Sequence, residues 1–253
     1  MNLQRIPFNW TDLQIIGPKI IEALQRHGAT VVTGLPDEPG DRALTELARN
    51  LGSPRKSNAE GTYVAPICVR SDPMKNSFGR EITSQTNIRF GLHTDEYFEL
   101  QPAHIVLLHC VHPDPCGGGI SLLCHIDNVI KKLTRDQLEK LRRPLYPHQY
   151  GLVSILQAHC GTWLVRYNLA DIQEQIENGN AKVTDEAQEA LSAFQAAINA
   201  SECRLALCAR DCLIADNFRI LHGRTEFRAE SPRLFKRMRL NNEKWPELSD
   251  VIQ

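Results

Sequence analysis

The sequence predicts an α+β fold built round a large, mostly antiparallel sheet system. Three observations predict it. Two amphipathic helical stretches stand at the front of the chain. Many short β-rich segments follow, separated by loops that hold Pro, Gly, Asn and Asp. Further helices are inserted between those segments rather than alternating strictly with them. The 253 residues contain no linker, low-complexity segment or internal repeat, so a single domain over 1–253 is the simplest count.

Taken in order, DLQIIGPKIIEALQRHG reads as a helix capped by Thr11 and stopped by Gly28, and Pro18 inside it predicts a later start or a kink. ATVVTGL (29–35) reads as a buried strand, and RALTELARNLG as a second helix ending at Gly52. TYVAPICV (63–70), TNIRFGLHTD (86–95), AHIVLLHC (103–110) and GISLLCH (119–125) are strand-like, and the polar loop between the first two is long enough to be functional. Residues 127–143 predict one or two surface helices, and HQYGLVSIL and TWLVRYN predict strands. TDEAQEALSAFQAAINA (184–200) is the clearest helix, with Thr184 as its cap and Glu186 close to a capping-box position. The chain closes on RLALCAR, LIADNFRILHG and LFKRMRLN, each read as one strand.

Lys and Arg number 29 against 30 Asp and Glu, a formal charge of -1, which argues against a dedicated nucleic-acid or membrane-surface protein. No apolar run reaches the roughly 18 residues of a membrane span, and MNLQRIPFNWTD lacks the pattern of a signal peptide. These features predict a cytoplasmic protein. The eight cysteines include no CxxC pair, and several, such as Cys110 and Cys208, sit in apolar runs, so they are read as small buried hydrophobes in a reducing compartment.

His93 and Asp95 stand two apart in GLHTDEYF after a strand-like run, and on extended chain residues i and i+2 share a side. A third ligand is then needed, and His222 at the end of LIADNFRILHG fits. Two imidazoles and one carboxylate on one face of a divalent ion are the arrangement of non-haem Fe(II) oxygenases. A hydrolase using Zn2+ would use a similar set. Arg233 and Arg237 follow His222 in HGRTEFRAESPRLFKR, and a turn between Gly223 and Pro232 would lay LFKRMRLN antiparallel to LIADNFRILH, bringing an arginine near the ion. Such a fork suits a buried carboxylate. Arg224, Arg228, Lys236 and Arg239 are read as solvated charges. His109, His112 and His125 offer another cluster, but the first two face opposite sides of a strand and are read as structural.

LHTDEYF (92–98), HIVLLHCVHPDPCGGGISLLCHIDNVIKKL (104–133) and ADNFRILHGRTEFRAESPRLFKR (215–237) together resemble the taurine dioxygenase and clavaminate synthase-like superfamily of Fe(II)/2-oxoglutarate-dependent oxygenases. The front end, IIEALQRHGATVVTGLP and LARNLGSP, is similar to that family's opening helix–strand–helix. The resemblance implies a double-stranded β-helix, the jelly-roll of cupins, flanked by helices. It implies that His93, Asp95 and His222 hold iron, that Arg233 anchors the far carboxylate of 2-oxoglutarate, and that Ser121 adds a hydroxyl to that carboxylate. ARDCLIADN lacks the glycine of the Gly-Asp turn usual at this point. Because Asp95 is present, halogenation is disfavoured.

The implied reaction consumes 2-oxoglutarate and O2, releases succinate and CO2, and oxidises a C–H bond of a small molecule. Hydroxylation is the expected outcome, and desaturation or cyclisation the alternative. Tyr97, Phe98, Trp163, Arg166, Asn168 and Arg237 are the candidate substrate residues, with Arg70 as a further cation. Charged and amide side chains outnumber large aromatic ones among them, which predicts a polar substrate such as an amino acid or a derivative of one.

Overall fold

A computed structural model describes residues 3–56, 61–179 and 182–248 and the backbone of 251–252; of the span 1–253 read as one domain, the remainder lies outside the described residues. The chain opens on β1 (Arg5–Pro7), α1 (Leu13–His27), β2 (Ala29–Thr33), α2 (Arg42–Leu51), β3 (Ser53–Arg55) and β4 (Ala65–Ile67). Then come β5 (Phe90–His93), β6 (Ile105–His112), β7 (Ser121–His125), α3 (Ile126–Ile130), α4 (Arg135–Arg142), β8 (Tyr146–His148) and β9 (Gly151–Val153). After β10 (Leu156–His159) and β11 (Thr162–Val165) lie α5 (Leu169–Glu177) and α6 (Asp185–Asn199). The last elements are β12 (Cys203–Leu205), β13 (Cys212–Asp216), β14 (Ile220–Arg224), β15 (Leu234–Asn241) and β16 (Val251–Ile252).

Two sheets face each other. The larger runs β1-β2-β13-β6-β15-β3 with β4 beside β15, and the smaller runs β12-β7-β14-β5. Every pairing is antiparallel except β1 with β2. This is the jelly-roll arrangement the sequence resemblance implies. Strand alternation assigns the layers. On β13, Leu213 and Ala215 join Cys110, Leu123, Ile220 and Phe235 between the sheets. Cys212 and Ile214 point the other way, onto Ile20, Leu24, Leu44 and Leu47 of α1 and α2. On β7, Leu122 and Cys124 turn outward to Leu191, Phe194 and Ile198 of α6. Each fully buried Ile, Leu or Phe contributes about 1.5–3 kcal/mol, so helices seal both outer faces and leave the inter-sheet space for the site.

Several local expectations are corrected. Asn9, not Thr11, supplies the first cap: its side chain accepts the Thr11 N–H at 3.2 Å and starts a short 3-10 turn that leads into α1. Pro18 lies inside α1 without delaying its start; burial of Ile16, Ile20 and Leu24 outweighs the single ladder bond it removes. Thr184 caps α6 through the Ala187 N–H, and because Ala187 occupies the third helical position no capping box forms there. LIADNFRILHG is two strands, β13 and β14, split by a turn at 217–219. That turn moves the chain from one sheet to the other, so His222 sits in the middle of β14. β15 therefore does not lie against this segment but pairs with β6, β3 and β4. The helix α5 was not foreseen.

Arg210 takes φ +72 where the glycine of the expected turn is missing, and its N–H still reaches the Cys110 carbonyl at 2.8 Å. All eight cysteines are free; Cys110, Cys124 and Cys212 are buried, whereas Cys208 is exposed, because the segment that reads as apolar ends β12 at Leu205. Among the described residues no helix is long and apolar enough to cross a membrane. Gly28 ends α1 at φ +75, and a Cβ there would stand 2.7 Å from Ile220 Cδ1. Left-handed strain and overpacking together predict that Gly28→Ala lowers unfolding free energy by roughly 2–4 kcal/mol. Denaturant titration checks this, and an unchanged midpoint would contradict it.

Candidate active site

His93 ends β5 and His222 is its direct partner across the β14 pairing, which sets the two imidazoles side by side. Their ring centroids lie 4.6 Å apart. Asp95 Oδ1 is 3.5 Å from His93 Nε2 and 3.4 Å from His222 Nε2. One ligand atom from each of the three comes within 4.8 Å of the others, and among the described residues this is the one such group of three or more His, Cys, Asp or Glu. Bonds of about 2 Å to imidazole nitrogen and carboxylate oxygen place neighbouring ligands roughly 3 Å apart, so small adjustments close the set on one ion. His93 Nδ1 lies 2.8 Å from the Gly91 carbonyl; donating there leaves Nε2 as the metal-facing lone pair. Phe90 stacks on the His93 ring at 3.9 Å and fixes its plane.

Asp95 is buried, which by itself raises a carboxyl's pKa. Arg237 and Arg239 overcome that and hold it well below the usual carboxylate range. Arg237 Nη1 is 3.3 Å from Oδ1 and Arg239 Nε donates to Oδ2 at 2.7 Å. Burial lowers the pKa of His93, opposed by its hydrogen bond to Asp95. An ionised carboxylate beside neutral imidazole is what a divalent cation requires. The Asp95 backbone is pinned by Asn217, whose Oδ1 accepts the Asp95 N–H at 2.8 Å and whose Nδ2 donates to the carbonyls of Asp95 and Ala103 at 3.0 and 2.8 Å. Asn217 is fully buried in the turn that changes sheets.

A small cavity between the sheets is lined by His93, Ser121, His222, Arg233 and Arg237, with Ile67, Leu108 and Phe235 as apolar walls. Arg233 precedes β15, buried to 4% exposure, with its guanidinium 4.0 Å from the Phe235 ring centroid. Its Nε donates to the Gly119 carbonyl at 3.3 Å, while its buried Nη1 has no hydrogen-bond partner among the described residues. Burial pulls its pKa down to about 10, so it stays charged at neutral pH. A Cβ at Gly119 would fall 2.4 Å from Arg233 Nε, which makes the glycine a requirement of this placement. A buried cation with an orphaned donor, in a cavity shared with His93, His222 and Ser121, fits a carboxylate.

A larger cavity of about 680 Å³ is lined by Asp95, shares His93 and Arg237 with the first, and includes Lys75, Arg80, Glu81, Phe98, Gln149, Asn168, Asp171 and Gln175 in its wall. Asn168 also caps α5 by accepting the Ala170 N–H at 3.1 Å. Phe98 stands at this cavity with 42% exposure. Tyr97 also contributes to this wall, with its hydroxyl buried and donating to the Pro147 carbonyl.

Trp163 and Arg166 are not brought to either cavity wall. Trp163 packs on the outer hydrophobic cluster with Arg142 5.8 Å over its ring, because the β10–β11 hairpin turns it toward α4. Arg166 is buried, and its Nη2 donates to the Leu100 carbonyl at 2.8 Å. Arg70 lines neither cavity.

Three of the four charges expected to be solvated are not. Arg224 is buried and donates to the carbonyls of Thr83, Thr86 and Ile88, tying the loop that forms one cavity wall to β14. Lys236 pairs with Asp37 and Asp41 at 2.6 Å. Arg239 meets Asp95, and only Arg228 is exposed. The signal for Arg239 was present in the sequence. Phe235, Arg237 and Arg239 share one face of β15 by period-two alternation, while Met238 and Leu240 pack outward. His109 meets the Leu35 carbonyl at 3.2 Å and His125 caps α3, in keeping with structural roles.

Residues 4–239 match the family model described as "Taurine catabolism dioxygenase TauD, TfdA family". The chain belongs to that family. No curated protein matches it. Among solved structures, an asparagine oxygenase in complex with Fe(II), 2S,3S-3-hydroxyasparagine and succinate is similar over 94% of this chain and 93% of its own, with a TM-score of 0.75 and 20% identity. The non-haem iron oxygenase OrfP, in complex with Fe, succinate and (3R,4R)-dihydroxy-L-Arg, is similar over 92% of this chain and 81% of its own, with a TM-score of 0.67 and 17% identity. At those identities the likeness is one of fold.

Proposed function

We propose that this family member is an Fe(II)/2-oxoglutarate-dependent dioxygenase, a single catalytic domain over 1–253, that hydroxylates a C–H bond of a small polar substrate, an amino acid or a derivative of one. The observation that carries the reading is the small cavity: it is lined both by His93 and His222, which converge with Asp95, and by Arg233, whose Nη1 has no hydrogen-bond partner among the described residues. A zinc hydrolase would need the first and have no use for the second.

His93, Asp95 and His222 hold the ion, and Arg233 with Ser121 holds the far carboxylate of the keto acid. When bound, iron and 2-oxoglutarate with O2 supply the oxidation, releasing succinate and CO2. The chain's own contribution is placement. The β5–β14 pairing presents both imidazoles on one side, Asn217 fixes the turn that presents the carboxylate, and the apolar walls keep water from the reacting centre. The larger cavity then receives the substrate, with Arg237 for an acidic group and Asp171 for an amine. The solved amino-acid oxygenases named above favour the same class of substrate. Free thiols throughout fit a cytoplasmic enzyme, and the near-neutral chain is assigned a small-molecule rather than a nucleic-acid partner.

The test is an amino-acid panel added to anaerobic protein with Fe(II) and 2-oxoglutarate. The expected result is a shift of the metal-to-ligand absorption band by one compound, which on aeration stimulates succinate release. If no amino acid or derivative does either, the substrate class is wrong. Asp171 adds a pH signature. Burial, with Glu174 nearby, raises it to about 6. Only its ionised form can hold an ammonium, so kcat/KM for an amine-bearing substrate should fall about tenfold per unit below that value. Asp171→Asn should remove this acid limb and raise KM. A profile unchanged in the variant would clear Asp171 of the role.

A further inference from the structure

The two oxygens of Asp95 are used differently. Oδ1 faces both imidazoles, whereas Oδ2 receives Arg239 Nε at 2.7 Å. The same guanidinium reaches Glu96 Oε1 through Nη1 at 3.5 Å. Glu96 is buried, and its Oε2 accepts the Ala103 N–H at 2.8 Å and lies 3.7 Å from Arg55 Nη2. Its backbone is at φ +58, a left-handed conformation that a glutamate keeps only where its surroundings impose it. Asp95, Arg239, Glu96 and Arg55 thus form a row of alternating charges running from the candidate metal centre to a partly exposed arginine.

We propose that Arg239 is the positioning residue for Asp95: its fork occupies Oδ2 and is itself braced by Glu96, so that the carboxylate offers Oδ1 alone to the ion. The inference rests on the reading of His93, Asp95 and His222 as a metal centre. Charge by itself does not account for Arg239. A cation this close repels a divalent ion, and Arg237 already lies 3.3 Å from Oδ1. What Arg239 adds is direction. A carboxylate with both oxygens unrestrained can turn to chelate with two, taking a position that the co-substrate or O2 needs. Fork geometry prevents the turn, since Nε and Nη1 project from one rigid plane toward two acceptors. The left-handed Glu96 is explained by the same device: it turns the chain immediately after the ligand so that its own side chain reaches behind the arginine.

Arg239→Lys tests this, because lysine keeps the charge and cannot bridge both acceptors. The measurement is anaerobic titration of the full chain with Co(II), read by its visible d–d bands, alongside thermal unfolding of the metal-free protein. The wild type is expected to bind one Co(II). Arg239→Lys should bind about 10- to 100-fold more weakly, the range for partners of metal ligands, with shifted bands that report a changed carboxylate mode. Glu96→Gln, which keeps the shape and loses the charge, should move both readouts in the same direction by less, and it carries the prediction if Arg239→Lys does not fold. Wild-type affinity and bands in the folded variants would overturn the proposal, whatever their melting temperatures. His93→Ala separates the two levels: if it binds Co(II) as the wild type does, the metal-centre reading itself fails.

Discussion

Asp95→Ala is expected to lose Fe(II) retention and to reduce 2-oxoglutarate turnover to the background without enzyme. In the proposed site the carboxylate would supply the one anionic ligand of the three, and two arginines hold it ionised. The substitution also strands those arginines in a largely buried site. Breaking a buried pair from one side costs about 3–5 kcal/mol, so the metal-free variant should unfold at a visibly lower temperature. Asp95→Asn separates the effects, since it preserves volume and one carbonyl oxygen while removing the charge. It should stay folded and still retain little iron. His93→Ala and His222→Ala should match it in metal loss. Iron content by colorimetric assay after gel filtration, together with circular dichroism, gives both readouts. Full iron content in any one of these variants would remove that residue from the ligand set.

Arg233→Ala should weaken 2-oxoglutarate binding far more than it alters metal retention. Truncating one partner of a buried, hydrogen-bonded charge pair costs about 2–5 kcal/mol, roughly 30- to several-thousand-fold in affinity. The effect should fall on the KM for 2-oxoglutarate, with iron content near normal, because Arg233 shares a cavity with His93 and His222 but bonds to Gly119 rather than to Asp95. Arg233→Lys should restore part of the loss, as it keeps the charge without the fork. Gly119→Ala is expected to mimic Arg233→Ala in part, since its methyl would displace the Nε and Cδ atoms it meets at 2.4 and 2.6 Å. If the KM for 2-oxoglutarate does not move in Arg233→Ala, the anchor is a different residue, with Arg237 the first to examine.

Much of this was legible in the sequence, for identifiable reasons. His93 and Asp95 are linked by spacing alone, since the end of a strand places i and i+2 together. His222 could be offered as a strand-end third ligand, and the choice of Arg233 over Arg237 needed the family resemblance, because proximity to the pair is made by sheet pairing, which no local pattern encodes. The same limit explains the misplaced β15. Hydrophobic alternation identifies LFKRMRLN as a strand without saying that β6, rather than the neighbouring LIADNFRILH, is its partner. The division of that segment hides in Asn217, a polar residue in an apolar run, whose side chain bonds the backbones of Asp95 and Ala103. Arg239 could have been read from alternation with Phe235 and Arg237. That Trp163 and Arg166 line neither cavity could not be read from the sequence, because the folded path of the β10–β11 hairpin and the residues after it decides which way they face. Asn217, Glu96 and Arg239 act through contacts with groups 7 to 144 positions away in sequence, and such contacts exist only once the chain has folded.

The proposed activity depends on a single ferrous site made by His93, Asp95 and His222. The most direct test is a crystal structure of the protein grown anaerobically with Fe(II) and 2-oxoglutarate, with anomalous scattering collected at the iron edge. One anomalous peak is predicted within bonding distance of His93 Nε2, Asp95 Oδ1 and His222 Nε2, with the far carboxylate of the keto acid against Arg233. A peak elsewhere, or none at those three atoms under saturating iron, would rule out this ligand set.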